Sequence, residues 1–515
     1  MNQIMRKPLI TLVASFLFLT PMLAGVTEGE NTRIYMVFLS QGYVGPGGSA
    51  INPLNNKDLL KKIQSECAKI DFIARDLTES GNSMESALKE LENSKDSFDG
   101  VLIIGTLTDY RLAFTGLPTI VVYNLWEWDK NPYKLFATGK EEDCVLVGGP
   151  EYSKGKIITA QLDRRRICDP ARSRAMFQDL VDKIKLIRAV KQLKESRILS
   201  VSPYRYIAQV DYQGDINKHI PEDYNETYIR ELKESLGVEI VRVGPEEFYE
   251  AYQESSETEA EKIAEKWILE AAGVKAARSE IIRTARAYLA FDALREKYNC
   301  NAVSTHMRSL TGSGRVEDRF WPGLGLECGF KTRGIQAVCQ DYPNILLAEL
   351  VAYFITGRPS MLGDLMIDTE NNVDILTHCG APVNPYGDDR RIPYLIRTHA
   401  ESPVRNTLDP GSSTGLQVEW PVGEPVTIWK FYVLHKKIGL HTGRTVDGHA
   451  LYKNLDNIMC RTKLIARVNA REVQKHYFAD AYGIHRAATI GDLREILRDF
   501  ATLIGYELME EDKSQ

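Results

Sequence analysis

The residues best suited to chemistry fall between Gly334 and Pro385. Residues 335–339 form an apolar run into Gln340 and Asp341, residues 359–363 lead into Asp364, and residues 373–376 lead into His378. A buried strand that ends in a side chain able to hold a metal or move a proton is how open α/β sheets build their sites. Gln340, Asp364 and His378 offer oxygen and nitrogen, the donors that a hard or borderline divalent cation accepts. The competing reading of any one of them is a turn cap or a solvated strand end.

The elements that must carry these residues follow from periodicity. Short apolar runs at 33–39, 100–104, 119–123 and 145–147 read as buried strands, with helix-like stretches at 59–68 and 84–91 between them. Strand and helix in alternation argue for a parallel sheet covered on both faces. Asp169-Pro170 opens a long helix whose Phe177, Leu180, Val181, Ile184, Ile187 and Val190 recur at helical spacing. A second α/β unit starts with a strand at 197–201. It continues through a helix at 224–236, a strand at 238–243, helical residues 246–298, and strands at 301–305 and 335–338. Beyond Asn384, Pro, Gly and Ser punctuate short runs rich in Val, Ile and Tyr, a β-rich, barrel-like texture, before a last helix at 493–504. The expected fold class is α/β. Two doubly wound α/β domains, 30–194 and 195–365, precede a β-rich C-terminal domain, 366–515.

At 515 residues the chain exceeds one ordinary core. Its 43% hydrophobic and 26% charged content argues against disorder and against a polytopic membrane protein. The net charge of −6, with basic clusters as short as Arg164-Arg165-Arg166, lacks the footprint of a nucleic-acid partner. Arg6 and Lys7 precede an uncharged run from 8 to 24, the layout of a signal peptide over 1–25. That layout implies export to the periplasm or medium, with no stable membrane span once the leader is removed. The eight cysteines are scattered without a C-x-x-C pair, and several, such as Cys144, sit in apolar runs; buried free thiols are expected. Cys339 and Cys379 read as small buried fillers, Trp321 and Trp420 as core, and His441, His449 and Glu349 as surface residues.

The ordered series C-Q-D-Y-P at 339–343, G-D-L at 363–365, T-H-C-G at 377–380 and K-H-Y at 475–477 resembles the L-fucose/L-arabinose isomerase-like family. The likeness is specific over about 325–385 and 443–506. It implies a metal site of Gln340, Asp364, His378 and His476, with Gln340 standing where the family has a glutamate. It further implies a divalent cation, Mn2+ by analogy, and a homo-oligomer. The implied reaction is aldose–ketose isomerisation of a monosaccharide through an enediolate, with Asp364, Gln340 and Asp341 as the catalytic set. Two carboxylates flanking the reacting carbons could exchange the roles of acid and base. A glutamine amide does not titrate, so Asp341 would have to swing in to replace it. The alternative is a catalytically impaired sugar-binding relative that kept the fold, and a weaker one is a hydrolase using Asp364 and Asp341 as a carboxylate pair.

Overall fold

Ile34 to Phe38 is a wholly buried run, as a strand covered on both faces requires, and it forms the centre of the first sheet. The computed structural model describes residues 30–39, 54–105, 111–124, 156–164, 168–202, 221–306, 322–387, 390–400, 413–457, 460–479 and 483–514. The expected leader, the strand at 145–147, Cys144 and Trp321 lie outside them.

The first sheet holds β1 (Thr32–Phe38), β2 (Ile70–Asp76), β3 (Gly100–Ile104), β4 (Thr119–Asn124) and β5 (Ile157–Leu162). All its pairings are parallel, in the order β2-β1-β3-β4-β5. The apolar-run criterion missed β2, whose I-D-F-I-A-R-D is half exposed beyond its first residue. The helix Pro170–Lys194 begins as its sequence demands. Asp169 accepts from the backbone N–H groups of Ala171 and Arg172, and proline takes the first turn. Its stripe from Phe177 to Val190 is buried in the core.

A second parallel sheet contains β6 (Arg197–Val201), β7 (Glu239–Val243), β9 (Ala302–Thr305) and β10 (Gln336–Val338), in the order β10-β9-β6-β7. Between them β8 (Gly273–Lys275) leaves for a small sheet with β13 (Tyr394–Arg397) and β14 (Gly415–Val418). The helical stretch expected at 246–298 forms as packed helices, Pro245–Glu254, Glu257–Glu270 and Arg278–Lys297, with β8 between the last two.

The β-rich end closes on itself. β11 (Met361–Asp368), β12 (Val373–His378), β15 (Pro425–Tyr432), β16 (Lys437–Thr445), β17 (Thr462–Arg467) and β18 (His485–Ile490) form an antiparallel barrel, sealed by the β15–β16 pairing. β19 (Glu507–Glu510) adds in parallel to one end of β16. Leu362, Trp429, Phe431 and Leu440 face outward and share one core with the helices Pro170–Lys194, Pro343–Thr356 and Arg494–Ile504. Among the described residues, no helix is long and apolar enough to cross a membrane.

The opposite face of the wall is charged at one end. His441 on β16 reaches Asp374 on β12 at 2.7 Å across the intervening β17, and Glu511 at 2.8 Å. Arg486 approaches Glu511 at 3.6 Å, and all four side chains are fully buried. Gly439 makes the room. A Cβ there would stand 2.6 Å from the Glu511 carboxylate. His441, expected on the surface, is therefore an interior residue of a strand, because alternation along β16 aims it into the barrel.

Burial opposes ionisation of both His441 and Glu511, yet their contacts prevail. Asp374 and Glu511 raise His441 to about 9, and Arg486 with His441 lowers Glu511 to about 2. A raised histidine stabilises fully below its ordinary 6.5, and that contribution is lost as pH climbs through about 9. A depressed glutamate stabilises above its ordinary 4.5, and that contribution is lost as pH falls through about 2. Denaturant midpoints should thus decline from pH 6.5 towards 9 in the native chain, and His441→Gln should flatten that alkaline limb.

Candidate functional site

Gln340 lies just past β10, where its backbone bridges to His306 beyond β9 at the C-terminal edge of the second parallel sheet. Asp364 lies within β11, paired with Thr377 on β12 and with His485 on β18. The strand does not end at Gly363, as its sequence suggested. It runs to Asp368, because residues 364–368 keep pairing with 373–377.

These elements bring three donor atoms together. His485 Nε2 stands 2.8 Å from Gln340 Oε1 and 2.9 Å from Asp364 Oδ1. One ring N–H cannot serve both oxygens, and with the hydrogen aimed at Gln340, Asp364 Oδ1 is buried without a hydrogen-bond partner among the described residues. His485 Nδ1 is likewise buried without one. The ring of Tyr342 lies over the imidazole, centroids 3.9 Å apart, and limits its rotation. Burial would raise the Asp364 carboxyl, but contact with His485 and the charge of His378 prevail and hold it below its ordinary range. Burial keeps His485 on the low side, against the pull of Asp364.

Alternation sends the neighbours of these residues elsewhere. Thr377 shares a face with Asp364, so His378 turns to the other side, and Cys339 turns away from Gln340 in the same way. His378 Nδ1 lies 3.5 Å from Cys379 Sγ and 3.7 Å from Cys339 Sγ, all three residues being buried. Asp341 turns again, at φ 46°, and its carboxylate accepts from the Ser200 hydroxyl at 3.0 Å and 3.1 Å. Its backbone N–H donates to Thr305, so Asp341 is fixed to the sheet edge rather than swung towards Gln340.

His476 sits on the helix Ala470–Ala479 with Nε2 3.1 Å from the Lys513 carbonyl. The imidazole beside Asp364 and Gln340 is that of His485. Its signal in the sequence was the one that singled out Asp364: a polar residue bordering a wholly buried run, here H-R-A-A-T-I after Gly483. His449 is largely exposed, as expected.

Glu349, expected on the surface, is fully buried on the helix Pro343–Thr356. The helix is enclosed by the barrel and the long helix, so nearly every side of it faces protein. Lys331 Nζ, equally buried, donates to Glu349 Oε1 at 3.0 Å, Glu327 Oε1 at 3.3 Å and the Ser360 carbonyl at 2.7 Å. Burial raises both carboxyls against the pull of Lys331, and burial would lower Lys331, but the two carboxylates together prevail and raise it.

An oxygen-rich group of one carboxylate, one amide oxygen and one imidazole fits a divalent cation of the Mg2+–Mn2+ kind, and the unsatisfied Asp364 oxygen gives such an ion a seat. No protein-family model matches the chain, and no curated protein matches it significantly.

Lys331→Met would strand two buried carboxylates, and the chain should lose about 3–5 kcal/mol of unfolding free energy. Chemical denaturation measures this, and adding Glu349→Gln should recover part of the loss.

Proposed function

We propose that the chain is a metal-dependent, aldose–ketose isomerase-like protein that takes a monosaccharide at the edge between the second parallel sheet and the barrel. The reading rests on one observation. Gln340, Asp364 and His485, from three separate stretches of chain, converge within hydrogen-bond distance of one nitrogen and leave an acidic oxygen unsatisfied. A divalent cation, Mn2+ in the family it resembles, would be held by these three. When bound, it would polarise a carbonyl–hydroxyl pair and stabilise the negative charge of enolisation.

The protein's own groups do the rest. Asp364 is ionised and partly open to solvent, so it can accept a proton from the carbon beside a carbonyl and return it to the neighbouring carbon. Gln340 orients without titrating, and Tyr342 holds His485 in place. The two α/β units and the barrel are proposed to act as three domains around this edge, with a homo-oligomer as the working form.

A second reading is favoured by Gln340 and by the anchoring of Asp341 to Ser200. With one titratable carboxylate in place of two, the chain would bind a sugar without converting it. The two readings separate cleanly. An isomerase should convert an aldose panel in Mn2+, and Asp364→Asn should lower turnover by about 100-fold or more. The same substitution should abolish a Mn2+-induced stabilisation of about 2.7 kcal/mol at a hundred times the dissociation constant. If sugar raises the melting temperature without turnover, and Gln340→Glu introduces turnover, the binding reading holds. Native Mn2+ binding unaltered by Asp364→Asn would remove both.

A further inference from the structure

Behind the oxygen-rich group lies a second one of opposite chemical character. Cys339 leaves β10, and His378 and Cys379 leave β12, so two strand ends deliver two sulfurs and an imidazole to one point. Their ligating atoms all lie within 4.8 Å of one another. Cys339 Sγ and Cys379 Sγ are 3.3 Å apart, and His378 Nδ1 is 3.7 Å from the first and 3.5 Å from the second.

We propose that Cys339, His378 and Cys379 bind a thiophilic divalent cation, Zn2+ being the ion whose geometry they fit. A tetrahedral Zn2+ with sulfur at about 2.3 Å and nitrogen at about 2.0 Å sets sulfur–nitrogen edges of about 3.5 Å. The separations from Nδ1, 3.5 Å to Cys379 Sγ and 3.7 Å to Cys339 Sγ, lie at and just above that value, and the sulfur pair has only to open slightly. Three protein ligands leave a fourth position for water or a small ligand.

Charge supports the same assignment. Cys339 and Cys379 belong to one core with Ala337, Leu376 and Ala381, and the buried Glu327 and Lys331 stand near enough to act on the group, so any further uncompensated charge there is costly. Two thiolates, a neutral imidazole and one Zn2+ sum to zero, so the loaded site carries no net charge into that core. Soft sulfur donors also reject Mn2+ and Mg2+, while Gln340 and Asp364 accept them, so the two groups sort ions by hardness. The site stands independently of any isomerase activity, since it uses none of the atoms that define the oxygen-rich group.

The experiment loads the full chain, purified under reducing conditions, with Zn2+ and dialyses it against excess Mn2+. The expected result is one retained Zn2+ per chain by elemental analysis. In the native sequence that Zn2+ should protect Cys339 and Cys379 from alkylation in peptide mapping. Co2+ in its place should give thiolate-to-metal charge-transfer absorption. Cys339→Ser with Cys379→Ser should reduce retained Zn2+ to background, whereas Asp364→Asn should leave it intact. Zn2+ that fails to protect the two thiols in the native chain overturns the proposal, as does Co2+ absorption without a thiolate band. So does loss of Zn2+ on Asp364→Asn alone, which would put the ion in the oxygen-rich group. The protection assay uses the unsubstituted chain, so misfolding of a variant cannot decide the outcome.

Discussion

The buried ammonium of Lys331 is the interaction on which the geometry of the site depends. It is shared by Glu327, Glu349 and the carbonyl of Ser360, each on a different segment. Gln340 enters the helix that carries Glu349, and Asp364 follows Ser360 by one turn of extended chain. One cation therefore fixes both stretches from which the donor atoms project. Taking these charges out of water is costly, and their attraction repays that cost only with well-formed hydrogen bonds. The benefit is placement: a shift of either stretch would break a bond to the same nitrogen.

From that anchor, the pleat of the strands sorts donor types. From Cys339 to Gln340 and from Thr377 to His378 the side chains turn to opposite sides, while Cys379, past the end of β12, stays with His378. Oxygen donors gather with His485 on one side, and sulfurs with His378 on the other. Electrostatics crosses the wall even though bonding does not. His378 and Asp364 act on one another's ionisation while belonging to different groups.

Much of this architecture was legible in the residues themselves. Apolar runs marked β1, β3 and β4, shorter mixed runs marked β6 and β9, and the Asp-Pro start with its apolar stripe marked the long helix. Punctuated Val, Ile and Tyr runs marked a barrel-like end, which the sheet closes with six strands. The half-exposed β2 carried no such pattern. In the site, Gln340 and Asp364 stood out because each borders an apolar run. His485 borders an apolar run as well, but its pairing with Asp364 is a cross-strand relation between distant stretches, which that local signal does not encode. His441 lies in a polar-looking stretch and Glu349 in an apolar helix, yet an ionisable side chain in either reads as solvated until its buried counter-charge is seen.

The interior of the barrel has a kinetic consequence. Asp374, His441, Arg486 and Glu511 come from stretches far apart in the chain, and the ion pairs His441–Asp374, His441–Glu511 and Arg486–Glu511 all join different hairpins or the tail. Glu511 docks over Gly439 and adds its charge to that of Asp374 opposite His441 and Arg486, so the segment after β19 acts as the latch of the cylinder. Contacts of such long sequence separation form late and slowly. Assembly of this cylinder should therefore be the slow phase of refolding, trailing the parallel sheets.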